Sequence, residues 1–181
     1  MTVRRVALVA ALVAAVAMPA GCGGDEAEVP EPAGARVVVT SPAFREGGAI
    51  PDRYTCRGAG DWPELSWSGL PADATGVAVV VSDPDAPDGT FVHRIVTGLP
   101  PRDGTLGARP PAGAREADNS RGDPGWTPPC PPSGTHHYRF TVIALDKETG
   151  LAQGASLDDA LAAVDEHATA RGTLTATYSR N

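Results

Sequence analysis

The chain is nearly without lysine: Lys147 is the only one in 181 residues, and no basic stripe or cluster offsets a net charge of -7. Such a surface repels phosphate backbones, so a nucleic-acid partner is excluded as a working expectation. No serine sits in a GxSxG turn, which removes the usual serine-hydrolase elbow. No HxH or HExxH spacing occurs, so a zinc centre lacks its common local signature. There is no internal repeat, and no apolar run long enough to cross a bilayer as a helix. Cysteine is sparse, at three residues. Gly and Pro, by contrast, are plentiful at 21 and 18, which favours short elements joined by many turns.

The first residues read as an address. Arg4 and Arg5 precede an apolar run from Val6 to Ala17, and Pro19-Ala20-Gly21 supplies small residues for cleavage. Cys22 follows at once, in a pattern that resembles the lipobox of bacterial lipoproteins, with Pro19 where Leu is usual. The expectation is a signal peptide over 1–21, lipidation at Cys22, and a location in the cell envelope, outside the cytoplasm and anchored to the membrane. The plainer alternative is an ordinary secreted protein with a chance cysteine. Residues 22–35 carry Asp25, Glu26, Glu28, Pro30 and Pro32 without apolar periodicity and read as a solvated tether. The folded domain is expected over 36–181.

Two cysteines then remain, Cys56 and Cys130. In an oxidising compartment they suggest one disulfide, the other reading being two partly buried thiols. Period-two or β-branched runs predict strands over 36–41, 65–68, 76–82, 91–99, 137–146 and 172–179. One helix is expected, capped by Ser156 with Asp159 three residues on, with Leu157, Leu161, Val164 and Ala168 on one face and Gly172 as its stop. Residues 100–135 hold half of the prolines and show no sustained period. A stretch of that length in a small domain points to function. The sum is a mostly-β, sandwich-like architecture.

Two blocks carry a resemblance. Asp83-Pro84-Asp85-Ala86-Pro87 closes an apolar strand, with His93 six residues later. The second block runs Pro128-Pro129-Cys130-Pro131-Pro132-Ser133-Gly134-Thr135-His136-His137-Tyr138-Arg139-Phe140. With Ile50-Pro51-Asp52-Arg53-Tyr54, Pro63-Glu64-Leu65-Ser66-Trp67, Asp118-Asn119 and the closing residues 174–180, they resemble the bacterial branch of the phosphatidylethanolamine-binding protein family, also called Raf kinase inhibitor-like. The resemblance spans about Val37 to Arg180. It implies a large antiparallel sheet packed on a smaller one, with a helix near the C-terminus. It also implies a small anion pocket formed by Asp83, Asp85, Pro87, His93, Pro131, His136 and Tyr138. The implied ligand is a phosphate-bearing small molecule or phospholipid headgroup, without a cofactor, and the family name further implies modulation or inhibition of a partner protein. Arg94, Trp126, Pro128 and His137 depart from the family's usual Trp, Tyr, Gly and Arg.

The residues themselves allow a physical account. A carboxylate beside His93 or His136 is expected to raise the pKa of that imidazole and keep it cationic for a phosphate. Tyr138 adds a neutral donor. His136 and Tyr138 share a strand face, whereas His137 points the other way, to solvent. A cis bond at Ala86-Pro87 fits a tight turn. Two other classes stay open. One is a hydrolase using Cys130 as nucleophile beside His136, which needs a free thiol; the absence of any other catalytic motif makes a non-enzyme the main expectation. The other is a metal site built from His93, His136 and the aspartates.

Overall fold

Alternation along each strand decides which side chains meet the core, and the computed structural model describes the result for residues 36–180. The leader expected at 1–21, Cys22 and the tether expected at 22–35 lie outside the described residues. In chain order the strands are β1 (Val38–Thr40), β2 (Leu65–Ser68), β3 (Gly76–Asp83), β4 (Phe91–Leu99), β5 (Gly104–Leu106), β6 (Arg115–Ala117), β7 (Gly134–Leu145) and β8 (Ala168–Arg180). One helix, α1 (Leu157–His167), stands between β7 and β8. The strands make a five-stranded sheet, ordered β6-β4-β3-β7-β8, and a three-stranded sheet, ordered β1-β2-β5. Every ladder between named strands is antiparallel.

Between the sheets lies the main core. Val77, Val79 and Val81 of β3 join Phe140 and Val142 of β7 and Leu174 of β8, and Val39, Leu65, Trp67 and Leu106 of the smaller sheet close over them. The other face of the large sheet is covered by α1: Val164 packs on Ala78 and Ile143, and Ala160 on Ile95. Both faces of β3 are thus covered, which is why it reads as an almost unbroken apolar run rather than an alternating one. Burial of Val164 to 3% exposure contributes about 2 kcal/mol to holding the helix down.

The helix starts as its sequence predicts. Ser156 Oγ accepts from the Asp159 backbone N–H at 3.2 Å, satisfying one of the open donors of the first turn. Its end differs. The helix stops at His167, and Ala168 and Gly172, expected on or just after the helix, belong to β8. Gly172 is needed for a different reason from the one its sequence context suggests. A β-carbon there would collide with the Val37 carbonyl oxygen, so β8 can pass the start of the domain this closely only without a side chain. His167 does lie in the last helical turn, 3.3 Å from Asp146.

The proline-rich stretch 100–135 is ordered. It contributes β5 and β6, each of three residues, and is tied down by indole donors: Trp67 Nε1 donates to the Arg102 carbonyl and Trp62 Nε1 to that of Leu106, both at 3.0 Å. Cys56 and Cys130, 74 residues apart, are joined in a disulfide. Loop closure on that scale is worth ~4 kcal/mol. The Cys56 backbone N–H also donates to the Pro129 carbonyl at 3.0 Å, so the bridge and a hydrogen bond hold the same wall.

Candidate functional site

At one end of the large sheet, β3 finishes on Asp83 and β7 carries His136 and Tyr138 near its start, and their shared parity keeps all three on the inter-sheet side. Neighbouring β4 should send His93 to the opposite side, because Ile95, two residues on, packs under α1. A bulge reverses this. Val81 pairs with Arg94 and Ser82 with Val92, so His93 is the extra residue on β4. The extra residue turns Val92 under the helix and His93 toward Tyr138. Sequence inspection misses the bulge because it exists only as a mismatch between two strands.

His93 is then clasped by the loop that follows β6. The Thr127 N–H donates to the His93 carbonyl at 3.0 Å, and His93 Nδ1 lies 2.6 Å from the Thr127 carbonyl. Asn119 staples the loop, donating through Nδ2 to Gly125 O and Thr127 Oγ1 and accepting the Arg121 N–H at Oδ1. Trp126 packs edge-on against Trp62 and lies beside His93, with centroids 5.0 and 5.8 Å apart. Arg94 takes its place on the far side of that aromatic wall. Its guanidinium sits 4.3 Å from the Trp62 ring centre and pairs with Glu116 at 2.7 Å. Trp62 and Trp67 are packing residues, as their sequence context suggests.

An open cavity of about 460 Å³ results. Six of the seven predicted residues line it: Asp83, Pro87, His93, Pro131, His136 and Tyr138. Asp85 does not. Its Oδ2 accepts from both the backbone N–H and Nδ1 of His137, at 2.8 and 2.7 Å, on the outer face. Those two bonds, the ring's first, hold its carboxyl below the usual range. Period two accounts for the histidines, which β7 offers to opposite sides; Asp85 lies beyond the end of β3, in the turn at 84–85, so strand parity no longer ties it to the side of Asp83. Sequence reading also missed Phe91, Ser120, Arg121 and Thr127 in the lining. The last three sit in the irregular segment, whose return to the pocket no local pattern encodes.

Inside, Asp83 is fully engaged. Oδ2 is 2.7 Å from His136 Nδ1, and Oδ1 accepts the Asp85 N–H at 2.9 Å. His93 is not the cationic imidazole expected: burial, the largest effect, lowers its pKa, against the opposing pull of Thr127 and Asp83. The Tyr138 phenol is pushed well above its ordinary range by burial and then by the nearby Asp83 carboxylate, so it keeps its proton. His93 Nε2 and Tyr138 Oη are both buried without a well-formed hydrogen bond. The Ala86-Pro87 bond is trans, as are all peptide bonds among the described residues. The turn closes without the cis form because Gly89 N–H reaches back to Ala86 O at 3.2 Å. Cys130 lines the cavity, yet its sulfur is bonded to Cys56, so the Cys130–His136 pair lacks the thiolate a hydrolase would need. Among the described residues, no three His, Cys, Asp or Glu side chains converge as a metal-ligating group.

Comparison with known proteins bears on the family and the fold. The family model described as phosphatidylethanolamine-binding protein matches residues 40–179. The chain belongs to that family. Its relatives include LppC of Mycobacterium tuberculosis, named a lipoprotein, at 38% identity over 98% of each chain. Another is a UPF0098 protein of Methanothermobacter thermautotrophicus, 39% identical over 76% of this chain and 95% of the relative. Among solved structures, a phosphatidylethanolamine-binding protein homologue from Chlamydia trachomatis superposes with a TM-score of 0.75 at 35% identity, covering 82% of this chain and all of the other. YbcL of E. coli, described as a member of the mammalian phosphatidylethanolamine-binding protein family, gives 0.76 at 29% identity over 81% of this chain and 100% of its own. The family's two-sheet architecture is therefore the architecture of this chain.

Proposed function

We propose that this protein is a lipid-anchored envelope protein that holds a small phosphate-bearing ligand, free or as a lipid headgroup, in the cavity at the end of β3 and β7. One observation carries the reading. Two buried polar atoms, His93 Nε2 and Tyr138 Oη, lack a well-formed hydrogen bond, and their residues line an open cavity that also holds the Asp83–His136 pair. Leaving such an atom unpaired costs about 1–3 kcal/mol, so the arrangement makes sense where a ligand or water completes it. Arg121 at the mouth supplies positive charge, and Tyr138 and His136 supply donors. The proline-lined wall, fixed by the disulfide, is stiff and lowers the ordering cost of binding. Modulation of a partner protein is a further implication of the family, reached through occupancy of this site.

Calorimetry with inorganic phosphate, phosphoethanolamine and a short-chain phosphatidylethanolamine tests the pocket. At least one should bind, and His136→Ala should weaken it about tenfold near pH 6.5 by removing a charge-assisted contact. Equal affinity of variant and wild type would remove His136 from the site. Anchoring at Cys22 is supported by its lipobox-like context and by LppC, whose match extends over 98% of this chain. The Cys22→Ser protein should leave the membrane fraction, and its retention there would contradict the anchor.

A further inference from the structure

The inner atoms of the cavity differ in what they can offer a ligand. A carbonyl has only lone pairs, so the proton in the 2.6 Å contact between Thr127 and His93 Nδ1 belongs to the histidine. The ring is 4% exposed and walled by the Phe91, Tyr138 and Trp126 rings, with centroids 4.7, 5.3 and 5.8 Å away. A ring so enclosed, bonded to a neutral carbonyl, favours the uncharged form. The same burial lowers its pKa. Neutral and protonated on Nδ1, it presents Nε2 as a bare acceptor with no partner. The titratable and charged groups that line the cavity with it are Asp83 from β3, Asp88 from the turn after β3, His136 and Tyr138 from β7, and Arg121 from the loop. Asp83 is a second acceptor. A permanent positive charge stands at the exposed mouth, on Arg121.

We propose that the pocket selects oxyanions that still carry a proton, namely an acid phosphoryl group whose P–O–H donates to His93 Nε2 while its anionic oxygens face Tyr138 and Arg121. This rests on the phosphate-pocket reading and narrows it. A sulfate ester has nearly the same shape and the same single charge as an acid phosphate monoester, but no proton to give. It would set a lone pair against Nε2 and leave that buried acceptor unsatisfied. Sites built to bond a ligand O–H reject analogues lacking it strongly.

The test titrates the full chain with methyl phosphate and with methyl sulfate at about pH 5.5, below the second phosphate ionisation at about 6, where both esters are monoanions. Methyl phosphate should bind at least about tenfold more tightly. The variant His93→Phe keeps a ring but removes the acceptor, and should bring the two affinities within about threefold. Should that variant not fold, wild type alone decides. The ratio of the two affinities should then fall at least about fivefold between about pH 5.5 and 7.5 as methyl phosphate loses its proton; any change in the charge of the pocket itself acts on both esters and largely cancels. Equal binding of the two esters by wild type, a preference that survives His93→Phe, or a ratio flat with pH would each overturn the proposal and leave the pocket reading standing. Binding of neither ester would overturn both.

Discussion

The protein carries two aspartate–histidine pairs of the same composition and the same 2.7 Å separation, their histidines adjacent on β7, with opposite surroundings. Asp83 and His136 keep 5% and 9% of their side-chain surface, whereas Asp85 and His137 keep 41% and 54%. What separates them is the medium. The inner pair sits among rings and prolines, where a charge is held by few, fixed partners. Water screens the outer pair, and its long-range influence on a ligand in the cavity is small. Chemistry legible in sequence is therefore necessary to the site without being sufficient; the face of the sheet decides.

Three experiments sharpen the contrast, from the largest expected effect to the smallest. Opening the disulfide with Cys56→Ser plus Cys130→Ser should lower stability by ~4 kcal/mol in denaturant titration. It should also weaken phosphate binding, because Cys130 forms part of the cavity wall and not of the outer surface. A double variant with unchanged affinity would show that the inner pair does not depend on that wall. Next, Asp83→Asn should cost about 3 kcal/mol by stranding a buried histidine, against at most about 1 kcal/mol for Asp85→Asn. Equal losses would erase the distinction between the pairs.

The third experiment uses pH. The folded pKa of His93 lies below its unfolded value, so the unfolded chain binds the extra proton first. Its contribution to stability is complete above about pH 6.5 and declines as pH falls from there toward the lowered folded value. His93→Phe should flatten that part of the thermal-stability profile. The carboxyl of Asp85, also lowered, acts in a more acid window: its small contribution is present above about pH 4 and is lost below it. An unchanged slope between about pH 5 and 6.5 in His93→Phe would show that the ring is not held neutral.

How much of this was legible beforehand follows from the range of each signal. The β2 and β4 boundaries and the Ser156 cap are local and read directly from the chain. The histidine doublet gave its two faces correctly, because period two needs no partner strand. By contrast, β5 and β6 are three residues each among prolines and glycines, too short to show a period. Gly172 looked like a helix stop because its true constraint, the Val37 carbonyl, lies far away in sequence. The same holds for His93, re-aimed by a register mismatch, and for Arg121 and Thr127, delivered by a loop folded over Asn119.

The doublet His136-His137 has one more implication. Slide β7 by one residue against β3 and a histidine would still meet Asp83, so the imidazole itself cannot tell right pairing from wrong. Tyr138 would be exchanged for Arg139, and Phe140 and Val142 would leave the space between the sheets for Thr141 and Ile143. Fidelity of assembly at this end of the molecule is thus vested in the greasy comb beyond the histidines, and a lesion there would scramble recognition while every polar group of the pocket was still encoded.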